Sequence, residues 1–192
     1  MRYNPDYHHR RSIRLKGYDY RQAGAYYVTI CCHQRICFLG EIIDGVMHPN
    51  FLGETAGAMW CSLPRHFPFI ELDAFVVMPN HFHGILVINE HENNMNLGNV
   101  PPRQSTPEPS LPQGTQSGSL GAIVQNFKSV TTRRVNRIHR RKGTIWQRGY
   151  HEEIIRNERA YENIRRYIIE NPLTWDKDKE NLLKFTPISG DL

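Results

Sequence analysis

His81-Phe82-His83 stands at the head of an apolar run, HFHGILVI, that reads as a β-strand. Side chains two apart on a strand share a face. The two imidazoles therefore project together and can converge on one divalent ion, while Phe82 enters the opposite layer. Taken alone, the pair also reads as two polar residues at a strand end. Its context favours chemistry, because Met78-Pro79-Asn80 makes a tight turn immediately before it, at the mouth of the strand. Other histidine chemistries fit less well. A histidine-triad hydrolase needs a third His where Ile85 stands, a cupin site needs a Glu and a distant His on a β-barrel, and a structural zinc site needs nearby Cys or His pairs.

A second constellation lies in RAYENIRRYIIENP, where Tyr167 and Asn171 are one helical turn apart and so share a face. One reading is a core tyrosine followed by a helix-terminal asparagine. The other is a nucleophilic phenol with an amide oxygen that helps to hold a metal. A tyrosine of ordinary pKa is only about 0.1% ionised at neutral pH. It attacks a phosphate when a metal polarises the target and takes up the developing charge. Tyr150 and Tyr161 compete for the role, but Tyr150 sits in a turn-like segment and Tyr161 points off the Tyr167 face.

These residues need a scaffold, and the apolar patterning supplies one. Tyr26 to Cys32 is aromatic and β-branched and reads as a strand, with Ile36 to Ile43 returning from it as a hairpin. Glu54 to His66 carries Ala56, Met59, Trp60 and Leu63 at helical spacing, with Pro64 near its end. Ile70 to Met78 and His81 to Ile88 form an antiparallel pair about Pro79-Asn80. Ile123, Phe127, Val130, Arg134 and Ile138 mark an amphipathic helix with a basic outer face. Asn157 caps a last helix running to Glu170, which Pro172 stops. The expected fold is α+β, a ferredoxin-like or RRM-like antiparallel sheet with helices on one face.

Lys plus Arg number 24 against 19 acids, for a formal charge of +5 in 192 residues, which suits a polyanionic partner. The cations are bunched. The first 21 residues hold Arg2, Arg10, Arg11, Arg14, Lys16 and Arg21, and read as a basic N-terminal arm. Between Gln125 and Tyr150, Lys128, Arg133, Arg134, Arg137, Arg140, Arg141, Lys142 and Arg148 meet no acid. Residues 89–120, with Pro101, Pro102, Pro107, Pro109 and Pro112 among Asn, Gln, Ser and Gly, read as a disordered insertion within one domain spanning 1–192. Cys31, Cys32, Cys37 and Cys61 form no C-x-x-C pair and read as reduced, buried thiols. No apolar run approaches the roughly 18 residues of a membrane span, and the basic N-terminus lacks a secretory apolar core. A cytoplasmic, nucleoid-associated protein without membrane contact is expected.

The segments MPNHFHGIL, FKSVTTRRVN, GTIWQRGYHEEIIRNE and YIIENPLTW, with RRSIRLKGYDYRQAGAYYVTICC before them, resemble the successive motifs of the REP-associated tyrosine transposases. These are the chromosomal branch of the single-tyrosine HUH transposases. The resemblance covers nearly the whole chain outside residues 89–120. It implies the HUH endonuclease fold and an active nickase and strand transferase on single-stranded DNA at hairpin-forming repeats. It further implies His81 and His83 as ligands of Mg²⁺ or Mn²⁺, and Tyr167 as the nucleophile that takes the 5′-phosphate and leaves a free 3′-OH. Asn171 matches the polar position that completes metal coordination, although many relatives outside this branch have Gln there.

Independently, Arg10, Arg11, Arg14, Lys16, Lys128, Arg133, Arg134 and Arg137 are candidate DNA contacts, since cations on phosphates supply most of the affinity for nucleic acid. Trp146 and the N-terminal tyrosines read as core residues or as platforms for unpaired bases. Two other readings stay open. One is a non-catalytic module for single-stranded nucleic acid; the other is a metal-dependent nuclease that uses water. The protein would act as a monomer or homodimer, and the sequence leaves open whether the tyrosine serves its own subunit or a partner.

Overall fold

Along Gly24–Cys31 (β1), Tyr26, Val28 and Ile30 are fully buried on one face, while Tyr27, Thr29 and Cys31 alternate onto the other. Buried backbone N–H and C=O groups need partners, and β1 has hydrogen-bonded neighbours on both edges. It pairs antiparallel with His81–Ile88 (β5) and with His151–Ile155 (β6). Ile70–Val77 (β4) closes the other side of β5, giving the sheet order β4-β5-β1-β6. The computed structural model describes residues 14–15, 17–90, 115–140, 142–178 and 180–181. Arg10, Arg11, Lys16 and most of the 89–120 segment therefore lie outside the described residues.

The hairpin expected between Tyr26–Cys32 and Ile36–Ile43 does not form. Gly40–Ile43 (β2) pairs instead with Val46–Pro49 (β3), in a separate two-stranded ribbon. Asp44 and Gly45 turn that ribbon, both with positive φ (49° and 75°), as a tight two-residue hairpin turn requires. The edge of the sheet falls to β6, a strand not anticipated because HEEII has too few apolar residues to signal one. The resulting order of β1, helix, β4, β5, helix, β6 is the ferredoxin-like βαββαβ arrangement.

Helices cover the sheet. Phe51–Cys61 (α1) begins three residues before the expected Glu54. The Asn50 side chain accepts from Leu52 and Gly53 backbone amides, a cap worth about 1 kcal/mol. Pro64 opens a separate short turn, Leu63–His66 (α2). Leu120–Ile138 (α3) is capped by Ser119 and buries Leu120, Ile123, Val124, Phe127, Thr131 and Val135. Its core stripe thus differs from the expected one: Ile138 is 49% exposed. Together α1 and α3 sandwich Trp60, Phe82 and Phe127 against the sheet, with Trp60 and Phe82 rings 4.8 Å apart. Burying a side chain such as Phe82 stabilises by about 1.5–3 kcal/mol.

The expected layer of helices on one face holds for α1 and α3, but Glu158–Glu170 (α4) crosses the other face. Its Ala160, Tyr161, Ile164 and Ile168 meet Tyr27, Ile85, Val76 and Val87. The chain then runs through Pro172 as a 3-10 segment, Asn171–Lys177. Among the described residues, no helix is long and apolar enough to cross a membrane. Cys32 is buried as expected, whereas Cys61 is exposed.

Gly84, on the same strand as His81 and His83, lies directly against Trp60. A Cβ there would lie 2.7 Å from Trp60 Cζ2. Gly84→Ala is expected to destabilise the fold by about 1–3 kcal/mol, the usual cost of overpacking. Urea unfolding should show the midpoint falling. An unchanged midpoint would mean that the indole moves aside without cost.

Candidate active site

Strand alternation sends His81 and His83 to the α4 face, where both are buried, while Phe82 enters the core. Their ring centroids lie 4.5 Å apart. Nδ1 of each ring is engaged by a neighbour. His81 Nδ1 is 2.8 Å from Asn80 Oδ1. His83 Nδ1 is 2.6 Å from the Tyr27 hydroxyl and 2.9 Å from Thr29 Oγ1. A bond of this kind at one ring nitrogen orients an imidazole and leaves the other nitrogen available to a cation.

A carboxylate joins them. Ligand atoms of His81, His83 and Asp178 all lie within 4.8 Å of one another, and all three residues are buried. Asn171 stands beside this group, 1% exposed. Its Nδ2 donates to Asp178 Oδ2 at 3.3 Å, and its Oδ1 is a buried acceptor with no hydrogen-bond donor among the described residues. Two imidazoles, a carboxylate and an orphaned amide oxygen fit a divalent cation, because a buried carboxylate and a bare carbonyl are costly without one. Asp178 was missed by the sequence reading. It lies in an ordinary-looking acidic stretch, WDKDKE, and nothing local marks one acid there as a ligand.

Tyr167 reaches the same place from α4. Its ring centroid is 5.4 Å from that of His83, edge-on, and 6.4 Å from that of Tyr27. The residue is 43% exposed, so a large substrate can reach it. Burial raises its pKa first, and the Asp178 charge adds to that; the neighbouring Asn171 amide opposes them, and the Glu180 charge raises it further. Without a cation the phenol is therefore a poorer nucleophile than free tyrosine. The competing tyrosines are engaged elsewhere. Tyr161 donates to Asp73 at 2.7 Å, and Tyr150 accepts from Arg14 at 3.0 Å. Tyr167 stands against His83 of its own chain.

An open groove runs from Tyr167 and His83 past β6 to α3, and Arg14, Arg35, Lys128, Arg133, Arg148 and Lys177 line it. The expected DNA contacts divide within it. Arg133 faces the groove, exposed; Arg134 and Arg137 are exposed on α3 but do not line it. Arg14 lies 3.6 Å from the buried carboxylate of Glu152, whose pKa burial raises. Lys128 turns inward and donates to the carbonyl oxygens of Gln147, Arg148 and Gly149. Burial pushes its ammonium down to about 8, opposed by the charge interaction with Cys31. Lys128 thus holds the groove wall and has no donor left for a phosphate. Trp146 is 3% exposed and packs on Phe127, so it is core and not a base platform.

No protein-family model matches the chain. A Haemophilus influenzae protein (strain ATCC 51907 / DSM 11121 / KW20 / Rd), described only as an uncharacterized protein, is 42% identical over 182 residues, covering 93% of this chain and 96% of that protein. Among solved structures, a REP-associated tyrosine transposase bound to a REP hairpin superposes with a TM-score of 0.56 at 18% identity, over 88% of this chain and 77% of that one. The four-stranded antiparallel sheet with helices packed on it is the arrangement expected of an HUH endonuclease. This chain therefore belongs to one family with the Haemophilus influenzae protein and has the fold of the REP-associated tyrosine transposase.

Proposed function

We propose that the protein is a metal-dependent DNA transposase that nicks and rejoins single-stranded DNA at hairpin-forming repeats through a 5′-phosphotyrosine. The observation that carries the reading is the position of Tyr167: a reachable phenol, its ring centroid 5.4 Å from that of His83 in a buried His81–His83–Asp178 cluster, at the end of a basic groove. The shared fold with a hairpin-bound transposase supports it as analogy.

In this reading the groove holds the strand so that Tyr167 Oη faces a backbone phosphorus. The Oη–P bond forms and the P–O3′ bond breaks. The phenolic proton leaves the tyrosine and the departing 3′-oxygen takes one up, so no co-reactant is consumed. Attack of a free 3′-OH on the phosphotyrosine reverses the step and joins strands. His81, His83 and Asp178, with Asn171 beside them, would hold Mg²⁺ or Mn²⁺, which when bound acts as a Lewis acid on the phosphate oxygen. Arg133, Arg148 and Lys177 neutralise phosphates along the groove. Arg10, Arg11 and Lys16, from the basic arm, would add contacts to the hairpin.

A non-catalytic binder would use the basic groove equally well. It would have no use for a buried His–His–Asp cluster beside an exposed phenol. Incubation with a labelled single-stranded hairpin from the flanks of its own gene, in Mg²⁺ or Mn²⁺, should give a denaturant-resistant protein–DNA band. A gel shift without that band would establish a binder, and cleavage without it a nuclease that uses water.

A further inference from the structure

The Asn80 carboxamide is 1% exposed and lies between two parts of the site that are far apart in sequence. Its Nδ2 donates to the backbone oxygens of Arg35 at 3.1 Å and Glu180 at 2.7 Å. Both partners are acceptors only, so the amide orientation is determined: nitrogen toward them, oxygen toward His81. Because Oδ1 can only accept, His81 Nδ1, 2.8 Å away, must carry the proton. The lone pair then sits on Nε2. His83 has no such constraint, since Tyr27 and Thr29 meet its Nδ1 with hydroxyls that can donate or accept.

The same amide fixes the carboxylate. Glu180 is held by its carbonyl to Asn80, and its backbone N–H donates to Asp178 Oδ1 at 2.6 Å. A second tie, from Arg35 Nη1 to Glu180 Oε2 at 2.9 Å, draws on the segment whose carbonyl Asn80 also bonds. The acid that completes the cluster is thus secured to the residue adjoining the first histidine.

Resting on the metal reading above, we propose that Asn80 is the positioning residue that assembles the cation site. Its oxygen presets His81 in the ligating tautomer, and its nitrogen docks the segment carrying Asp178 beside it. Asn80 touches neither substrate nor ion. Partners of this kind, one shell out from a metal, typically govern affinity by 10- to 100-fold.

Three measurements on the full chain test this. In the metal-free wild type, ¹⁵N side-chain NMR should show His81 protonated at Nδ1; an Nε2–H signature overturns the proposal without any variant. Asn80→Ala, if folded by circular dichroism, should bind Mn²⁺ 10- to 100-fold more weakly in calorimetric titration and lose the single His81 tautomer. Affinity within twofold of wild type, with the tautomer retained, overturns it. Asn80→Asp keeps the acceptor but sets a carboxylate against two carbonyl oxygens. It should retain the Nδ1–H signature while amide exchange at residues 178–181 accelerates, and unchanged exchange overturns the docking role. Failure of the wild type to bind Mn²⁺ would count against the metal reading alone, because the tautomer and exchange results judge Asn80 separately.

Discussion

Tyr167→Phe should abolish the denaturant-resistant DNA adduct while leaving hairpin binding within about twofold. The loss should be about three orders of magnitude or more, because a covalent route has no substitute for its nucleophile. Binding would be spared because, in the proposed reading, phosphate contacts come from the several cations that line the groove and not from one hydroxyl. Persistent adduct in Tyr167→Phe, together with its loss in Tyr150→Phe or Tyr161→Phe, would move the nucleophile and sink the assignment. The structure makes that outcome unexpected, since those two hydroxyls are bonded to Arg14 and Asp73.

The direction of the Tyr167 shift adds a pH signature. Burial and the Asp178 charge raise its pKa above the ordinary tyrosine value, so at neutral pH the phenolate fraction is below about 0.1%. That fraction grows about tenfold per pH unit until the raised pKa is reached. Single-turnover adduct formation should therefore climb from neutral into alkaline pH. A bound cation favours the phenolate and moves the climb to lower pH without reversing it. A flat profile between pH 6 and 9 would show that ionisation of Tyr167 does not limit the reaction.

In the proposed reading, removal of one member of the His81–His83–Asp178 cluster should be nearly as damaging. His81→Ala, His83→Ala or Asp178→Ala should weaken Mn²⁺ binding by more than about 100-fold, beyond the effect of an outer-shell change, and remove cleavage at ordinary Mg²⁺. Asp178→Asn separates two effects of the same carboxylate. It deletes a charge that raises the Tyr167 pKa, so the phenol ionises more readily. It also deletes the anionic member of the proposed cation site. If the cation is essential, the variant is inactive despite its more acidic tyrosine. A faster Asp178→Asn enzyme, or cleavage undiminished in EDTA, would show that no metal is needed.

Much of this site rests on short-range regularities, and those are readable from consecutive residues. The two-residue period of a strand puts His81 and His83 on one face and Phe82 on the other, whatever sheet they join. Helical spacing places Tyr167 one turn before Asn171, and Asn157 caps that helix as its side chain and position require, accepting from Ala160. The acid-poor run of cations on and after α3 is equally plain, as is the ferredoxin-like class that follows from the alternation of strands and helices.

Only the tertiary structure decided which partners those regularities meet. The β1 strand pairs with β5 and β6 rather than with the nearby Ile36–Ile43 segment, which pairs in its own ribbon, so both edges of β1 carry a ladder from distant parts of the chain. The α4 helix crosses the face opposite α1 and α3, where its apolar stripe covers Tyr27 and Ile85, and that crossing is what sets Tyr167 against His83. Lys128, one cation among many in the sequence, turns inward because three loop carbonyls need a donor. Asp178 reaches the histidines through Glu180 and Asn80, residues 100 apart in the chain. A contact over that separation leaves no local pattern, since it depends on which buried polar groups must satisfy one another once the sheet has closed.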